Sequence, residues 1–236
     1  MGVDIVGSGL LAKAFSKSKA EDCFFCCSGV SDSHEVRVSE FNRERKLILS
    51  LTDLFKEKCF VYFSSSMCLT CYSPYYLHKL EMEELVISRC SSYHIIRLPQ
   101  VVGVSAGKTI VPSFVKLIDA KEPVHLYINA TRNIVDVDDV VRVFDLMHDK
   151  SNTKKTRTIC AKHNITPMQL VDVICEILHE EKKIICVNDG CEQICDFSDA
   201  AQVLPAHDML YDNDYPIQVL KKYVPSILRT IRGIAQ

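Results

Sequence analysis

The stretch Phe60-Val61-Tyr62-Phe63-Ser64-Ser65-Ser66, followed by Tyr75-Tyr76-Leu77-His78-Lys79, decides how this chain is read. Its first part is a continuous apolar run tipped with hydroxyls, the pattern of a strand covered on both faces. Its second part opens a helix, with Pro74 near the start where proline is tolerated. Positions i and i+4 share a helix face, so Tyr75 and Lys79 point at one small volume. The serines at the strand end reach the same volume. An ammonium beside a phenol favours the phenolate and lowers the tyrosine pKa. Such a set moves a proton on and off an alcohol or carbonyl oxygen. Tyr76 and His78 project elsewhere and read as packing or surface residues.

Upstream, Val3 to Val6 reads as a strand, Gly7-Ser8-Gly9 as a turn and Leu10 to Ser18 as a helix. Asp22 to Cys27 reads as a buried strand, with a loop over Ser28 to Ser33. Glu40 to Glu57 is an amphipathic helix with Phe41, Leu47, Ile48, Leu51, Leu54 and Phe55 inward. Cys59 to Phe63 and Tyr93 to Leu98 are further strands, flanking a helix over Pro74 to Cys90. The alternation predicts a parallel sheet with right-handed crossovers. Ligands in such sheets bind beyond the strands' carboxyl ends. The glycine turn, the Ser28–Ser33 loop, Ser64–Ser66 and Pro99–Gly103 all fall there.

Past residue 105 the pattern loosens. Helices are expected at Val111–Ala120, Val140–His148 (capped by Asp138 or Asp139), Thr166–Glu180 and Ile217–Ile234. Strands are expected at Val124–Ile128 and Thr158–Ala161, with Asn133–Val137 extended. The expected organisation is a cofactor-binding and catalytic core over 1–105, then a mixed region over 106–236 that completes the sheet and forms the small substrate-binding part.

The 236 residues carry a net charge of −2 with no long basic run, so no nucleic-acid partner is implied. No apolar stretch is long enough to span a bilayer. The Met1-Gly2 start has an early acid and no basic segment, so neither a secretory signal nor myristoylation is expected, and a cytoplasmic protein is. The 12 cysteines sit mostly in apolar runs, where a free thiol acts as a small hydrophobe. Cys68-Leu69-Thr70-Cys71 has metal-ligand spacing, but no second pair completes it, so no metal is expected.

Gly7-x-Gly9-x-x-Ala12 lies between a strand and a helix, where glycines let a backbone approach phosphate. Cys26 to Ser31, Val61 to Ser66, Tyr75-x-x-x-Lys79, Ile95 to Gly103 and Thr131 to Asp139 follow in order. Together these segments resemble the extended short-chain dehydrogenase/reductases, the NAD-dependent epimerase/dehydratase family that acts on sugar nucleotides. The resemblance implies a Rossmann-type α/β fold and an NADP or NAD cofactor against Gly7, Ser8, Gly9, Leu10, Leu11, Ser28, Gly29, Ser64, Tyr75, Lys79, Pro99 and Val101. It implies Tyr75 as general acid/base, Lys79 as the residue that lowers its pKa and holds the cofactor ribose, and Ser66 as the hydroxyl on the reacting oxygen, with Ser65 second. It places Gln100 at the sugar and Arg132 on the nucleotide diphosphate, where a planar bidentate donor suits it. A homodimer through helices 40–57 and 74–90 is the family habit.

The departures are equally specific. The family usually inserts a strand, a helix and another strand between its first helix and the segment resembling Asp22–Cys27. Here that segment is absent, and with it the usual adenosine site. The glycine turn is one residue short, and the loop from Ser66 to Tyr75 is trimmed. Met67 and Cys68 stand where dehydratases place an acidic pair. A weaker cofactor grip favours a keto-sugar reductase of polysaccharide or glycan precursor synthesis. The alternatives are an epimerase with retained NAD and a non-catalytic sugar-nucleotide binder.

Overall fold

Successive residues on a strand face opposite ways, and in Cys23-Phe24-Phe25-Cys26 both ways are apolar. Such a strand forms only inside a sheet covered on both sides. The protein's structure, a computed structural model, has this strand at the heart of its first unit. The structure describes residues 2–107 and 109–234; Met1 of the Met1-Gly2 start lies outside them.

In chain order the elements begin with β1 (Asp4–Val6), α1 (Leu10–Phe15), β2 (Cys23–Cys26), α2 (Val38–Leu54), β3 (Cys59–Ser65), α3 (Pro74–Arg89) and β4 (Tyr93–Leu98). They continue with β5 (Gln100–Val102), α4 (Ile110–Asp119), β6 (Val124–Tyr127), β7 (Ile134–Asp136), α5 (Val137–Met147) and β8 (Lys155–Thr158). The last are α6 (Pro167–Leu178), β9 (Ile184–Val187), α7 (Ser198–Ala201) and α8 (Tyr215–Ile231). Two compact units share them. The first holds Met1–Leu98, Asp138–Ile159 and Asp196–Leu204; the second holds Pro99–Val137, Cys160–Cys195 and Pro205–Gln236.

The first unit is a five-stranded parallel sheet in the order β1-β2-β3-β4-β8. One face carries Phe24, Cys26, Phe60 and Tyr62 against Ile48 and Leu51 of α2 and Met82 and Val86 of α3. The other carries Phe25 and Phe63 against Phe15 of α1, with ring centroids 4.9 and 4.8 Å away, and Phe144 of α5 closes over Phe15 at 5.5 Å.

This division corrects one expectation. The steps β1 to β2 and β2 to β3 run the same way across the sheet, yet α1 and α2 lie on opposite faces. Their crossovers therefore have opposite hands. With α2 and α3 following the right-handed rule, the β1-α1-β2 connection is left-handed. Removal of a strand-helix-strand segment after α1 accounts for it: α1 keeps its face while its next strand falls on β1's other side.

Smaller differences have local causes. The expected strand at Thr158–Ala161 lies earlier, at Lys155–Thr158, because this polar segment is an edge strand paired only with β4. Leu54, expected inward, is exposed at the end of α2, and Glu44 is buried instead. Strand β9 was hidden by its half-exposed pattern.

In the second unit β5 pairs with β7 and β6 with β9, both in parallel. The buried Asp136 carboxylate accepts from Tyr223 Oη and Lys222 Nζ at 2.6 Å each, tying β7 to α8. Thr166 and Gln169 form a capping box that starts α6. Among the described residues no helix is long and apolar enough to cross a membrane.

Phe15 is fully buried among three other rings, so Phe15→Ala should cost about 3–5 kcal/mol in chemical unfolding. The exposed Leu54→Ala should stay within about 0.5 kcal/mol of the parent.

Candidate functional site

All strands of the first sheet run parallel, so their carboxyl ends share one edge. Val6 leads there into Gly7, Cys26 into Ser28 and Gly29, and β3 into the serines. Gly7 has φ +128°, and a Cβ on it would sit 2.7 Å from the Cys27 carbonyl oxygen, so only glycine fits. Gly9 faces open space, and Gly7-Ser8-Gly9 is exposed, ahead of Leu10 and Leu11 at the start of α1. A backbone so uncovered can meet a phosphate.

Ser64 and Ser65 end β3, and Ser66 opens a short 3-10 turn to Leu69. Ser65 Oγ accepts from the Met67 N–H at 3.2 Å, which caps that turn and occupies Ser65 structurally. Ser66 is buried. Ser64 Oγ is buried without a partner of normal hydrogen-bond geometry, beside the Cys68 thiol. Cys68 donates to Glu83 at 3.6 Å, and Glu83 grips Arg97 through two bonds of 3.0 and 2.6 Å. The turn is thus pinned to α3 and β4.

Ser73 caps α3 by accepting from the Tyr76 N–H, and Tyr75 and Lys79 come one turn apart on its buried face. Lys79 Nζ lies 5.7 Å above the Tyr75 ring centroid. Its hydrogen bonds go elsewhere, to Glu44 Oε1 and to Tyr62 Oη, both at 3.1 Å. The Glu44 carboxylate is fully buried and also accepts from the Val30 N–H at 2.8 Å, Tyr62 Oη at 2.9 Å and His78 Nε2 at 3.0 Å. His78 stacks on Phe41 at 4.6 Å, but instead of projecting elsewhere it shares the Glu44 carboxylate with Lys79. Gly29 packs on this cluster: a Cβ there would meet Glu44 Oε1 at 2.5 Å and Lys79 Nζ at 3.0 Å. That face of Gly29 is filled by the ion pair.

Burial pushes the Glu44 pKa up, but Lys79 and the donors from His78, Val30 and Tyr62 outweigh it and hold it at about 2. Burial likewise pulls Lys79 down, and Glu44 reverses this and raises it. Tyr75 departs from expectation. Burial raises its pKa, Lys79 opposes, and Glu44 adds to the rise, so the net direction is upward. Lys79 does pull it down, but burial pushes it up by more. The phenol is therefore the resting form.

The second unit holds the remaining expected residues. Pro99 precedes Gln100 and Val101 on β5, with Gln100 in register with Ile134 and its N–H on the Asn133 carbonyl. Arg132 is half-buried. Its backbone exchanges two 2.8 Å hydrogen bonds with Ile165, and one guanidinium nitrogen donates to the Thr131 carbonyl. No carboxylate pairs with it among the described residues, leaving its other donors for an anion.

Glu44, Tyr62 and Glu83 are the functional neighbours that motif reading missed. Glu44 had a legible signal: it falls between Phe41 and Ile48 on the inward stripe of α2, where a lone acid needs a buried cation.

The model of the NAD dependent epimerase/dehydratase family matches residues 2–161. Three solved structures resemble the fold. A UDP-N-acetylglucosamine 4-epimerase from Methanobrevibacter ruminantium M1, in complex with UDP-N-acetylmuramic acid, has 16% identity over 89% of this chain and 77% of its own, with a TM-score of 0.67. A UDP-glucuronic acid 4-epimerase from Bacillus cereus, in complex with NAD, has 15% identity over 97% and 79%, with a TM-score of 0.70. A dTDP-glucose 4,6-dehydratase from Bacillus anthracis str. Ames, in complex with NAD, has 13% identity over 87% and 75%, with a TM-score of 0.65. At these identities the likeness is one of fold. The curated proteins gave no match.

Glu44→Gln leaves Lys79 buried without a countercharge and should lower stability at neutral pH by about 3 kcal/mol in urea unfolding. A carboxylate held down by folding stabilises above its unfolded pKa and stops doing so as pH falls through the folded one. The gap between parent and variant should therefore narrow as pH drops from 4.5 to about 2.

Proposed function

This chain belongs to the NAD dependent epimerase/dehydratase family, and we propose that within it the chain is a reductase of keto sugars carried on a nucleotide. The observation that carries the reading is the buried Tyr75 phenol, one turn from Lys79, kept protonated by burial and by the Glu44 carboxylate against the pull of Lys79. Reduction of a carbonyl needs a proton donor at its oxygen, whereas oxidation of an alcohol needs a base. A neutral buried tyrosine is the former.

Several features fit NAD or NADP: the glycine turn only glycine can make, the uncovered Gly9, and the buried Ser64 oxygen, which has no partner of normal hydrogen-bond geometry. Gly7, Ser8, Gly9, Leu10 and Leu11 would hold its diphosphate, with Ser28 beside them, and Ser64, Tyr75 and Lys79 its nicotinamide end. When bound, the cofactor supplies the hydride. Ser66 holds the substrate carbonyl oxygen, and Tyr75 gives that oxygen its proton, so the carbonyl becomes an alcohol. Lys79 steadies the phenolate left behind until water reprotonates it. Gln100 and Arg132 carry the sugar and diphosphate roles the family resemblance gives them, with Pro99 and Val101 lining the cofactor. Strand β1 is an edge: among the described residues no strand lies beyond it to frame an adenosine, which suits a cofactor that leaves each turnover. The product belongs with precursors for polysaccharide or glycan synthesis.

Two copies meeting through α2 and α3 complete the reading. Leu54, Leu77 and Ile87 are exposed on those helices, and light scattering should give twice the 26.7 kDa chain mass. A mass of one chain would remove the dimer.

Purified protein should change NADH or NADPH fluorescence at micromolar cofactor and turn over a 4-keto sugar nucleotide. Tyr75→Phe should lower kcat at least about 100-fold with the fold intact, and Arg132→Ala should act mainly on KM. No binding of either cofactor would sink the oxidoreductase reading. Stoichiometric NAD copurifying with the protein would move it to an epimerase.

A further inference from the structure

Four potential metal donors meet at the opposite edge of the first sheet, where the strands begin. Cys23 and Cys59 are register partners on β2 and β3, with side chains on the α5 face. His94 lies on that face of β4, and His148 follows α5. Cys23 and Cys59 stand opposite each other in register, and His94 lies beside Cys59. His94 Nε2 lies 3.2 Å from His148 Nδ1. His148 returns to Cys23 Sγ at 3.7 and 3.8 Å from its two nitrogens. Cys23, Cys59 and His148 place one donor atom each within 4.8 Å of one another.

We propose that Cys23, Cys59, His94 and His148 form a tetrahedral Cys2His2 site for a zinc-class divalent cation. Bond lengths of about 2.3 Å to sulfur and 2.0 Å to nitrogen set ligand separations of about 3.3–3.8 Å in a tetrahedron; the Cys23–His148 and His94–His148 contacts match these, while His94 stands outside the cluster of Cys23, Cys59 and His148 and closes on it through a small shift. The donor set is the soft one that selects zinc over magnesium or calcium. Two thiolates neutralise the cation, so nothing charged is left in a buried place. Loading releases the two thiol protons, and His94 shifts its ring proton to Nδ1 to free Nε2.

Two neighbouring features belong with such a site. Asp22 accepts from His148 Nε2 at 3.1 Å, which turns the Nδ1 lone pair inward, as carboxylates behind metal-bound histidines do. A surface cleft of about 310 Å³, lined by Lys19, Asp22, Asp145, His148 and Lys150, gives a path in. The cation would pin β2, β3, β4 and the end of α5. Sequence spacing is blind to this set because its members come from four separate elements.

The test uses the reduced, chelator-treated full chain titrated with Co2+ and Zn2+. One equivalent of Co2+ should give the visible bands of a tetrahedral site and a thiolate charge-transfer band, both displaced by Zn2+. Cys59→Ser and His148→Gln should abolish the bands, Asp22→Asn should weaken binding about 10–100-fold without changing their shape, and the exposed Cys191→Ser should bind as the parent does. X-ray absorption of the Zn2+-loaded parent, which needs no variant, should find two sulfurs and two nitrogens. Absence of tetrahedral Co2+ bands, their survival in both ligand variants, or a shell of other composition would overturn the site.

Discussion

The arrangement at the carboxyl ends of the first sheet's strands depends on one buried carboxylate. Glu44 receives four donors from two elements and a loop: Lys79 and His78 of α3, Tyr62 of β3 and Val30. Removing a carboxylate from water is costly, and only so full a set of partners offsets it. The result fixes α2, β3 and α3 against each other and fixes where Lys79 points. It also shapes Gly29, which has no room for a side chain beside the pair.

The same carboxylate changes what the tyrosine–lysine motif means. A lysine with a free charge makes its tyrosine a base. Lys79, though paired with Glu44, still pulls the Tyr75 pKa down, but burial outweighs it and keeps the proton on. The motif is legible in sequence, but the burial that outweighs Lys79, and the Glu44 carboxylate that adds to it, are not.

Much of the fold was legible because it rests on patterns of local origin. The apolar strands, the serine-tipped β3 and the Ser73–Pro74 start of α3 each declare themselves within a few residues. What escaped depends on distant partners. Glu44 is one residue among charged neighbours until α2 packs. Lys155–Thr158 is polar and becomes a strand only because β4 offers it an edge. The hand of the β1-α1-β2 crossover follows from which face α1 covers, and no periodicity records that. The expected residues of the glycine turn, β3 and α3 fall on one sheet edge, while Gln100 and Arg132 belong to the second unit.

The shortened sheet also leaves β1 as a border. A border strand shows unpaired amides and carbonyls, and a long flat one recruits other chains into fibrous association. Here it spans three residues, Asp4–Val6, and Lys58 pairs with Asp4 at its start. So brief and charged a border is a poor template. The feature that leaves the sheet short thus comes with its own protection against self-association, and lengthening β1 by even one or two apolar residues would erode it.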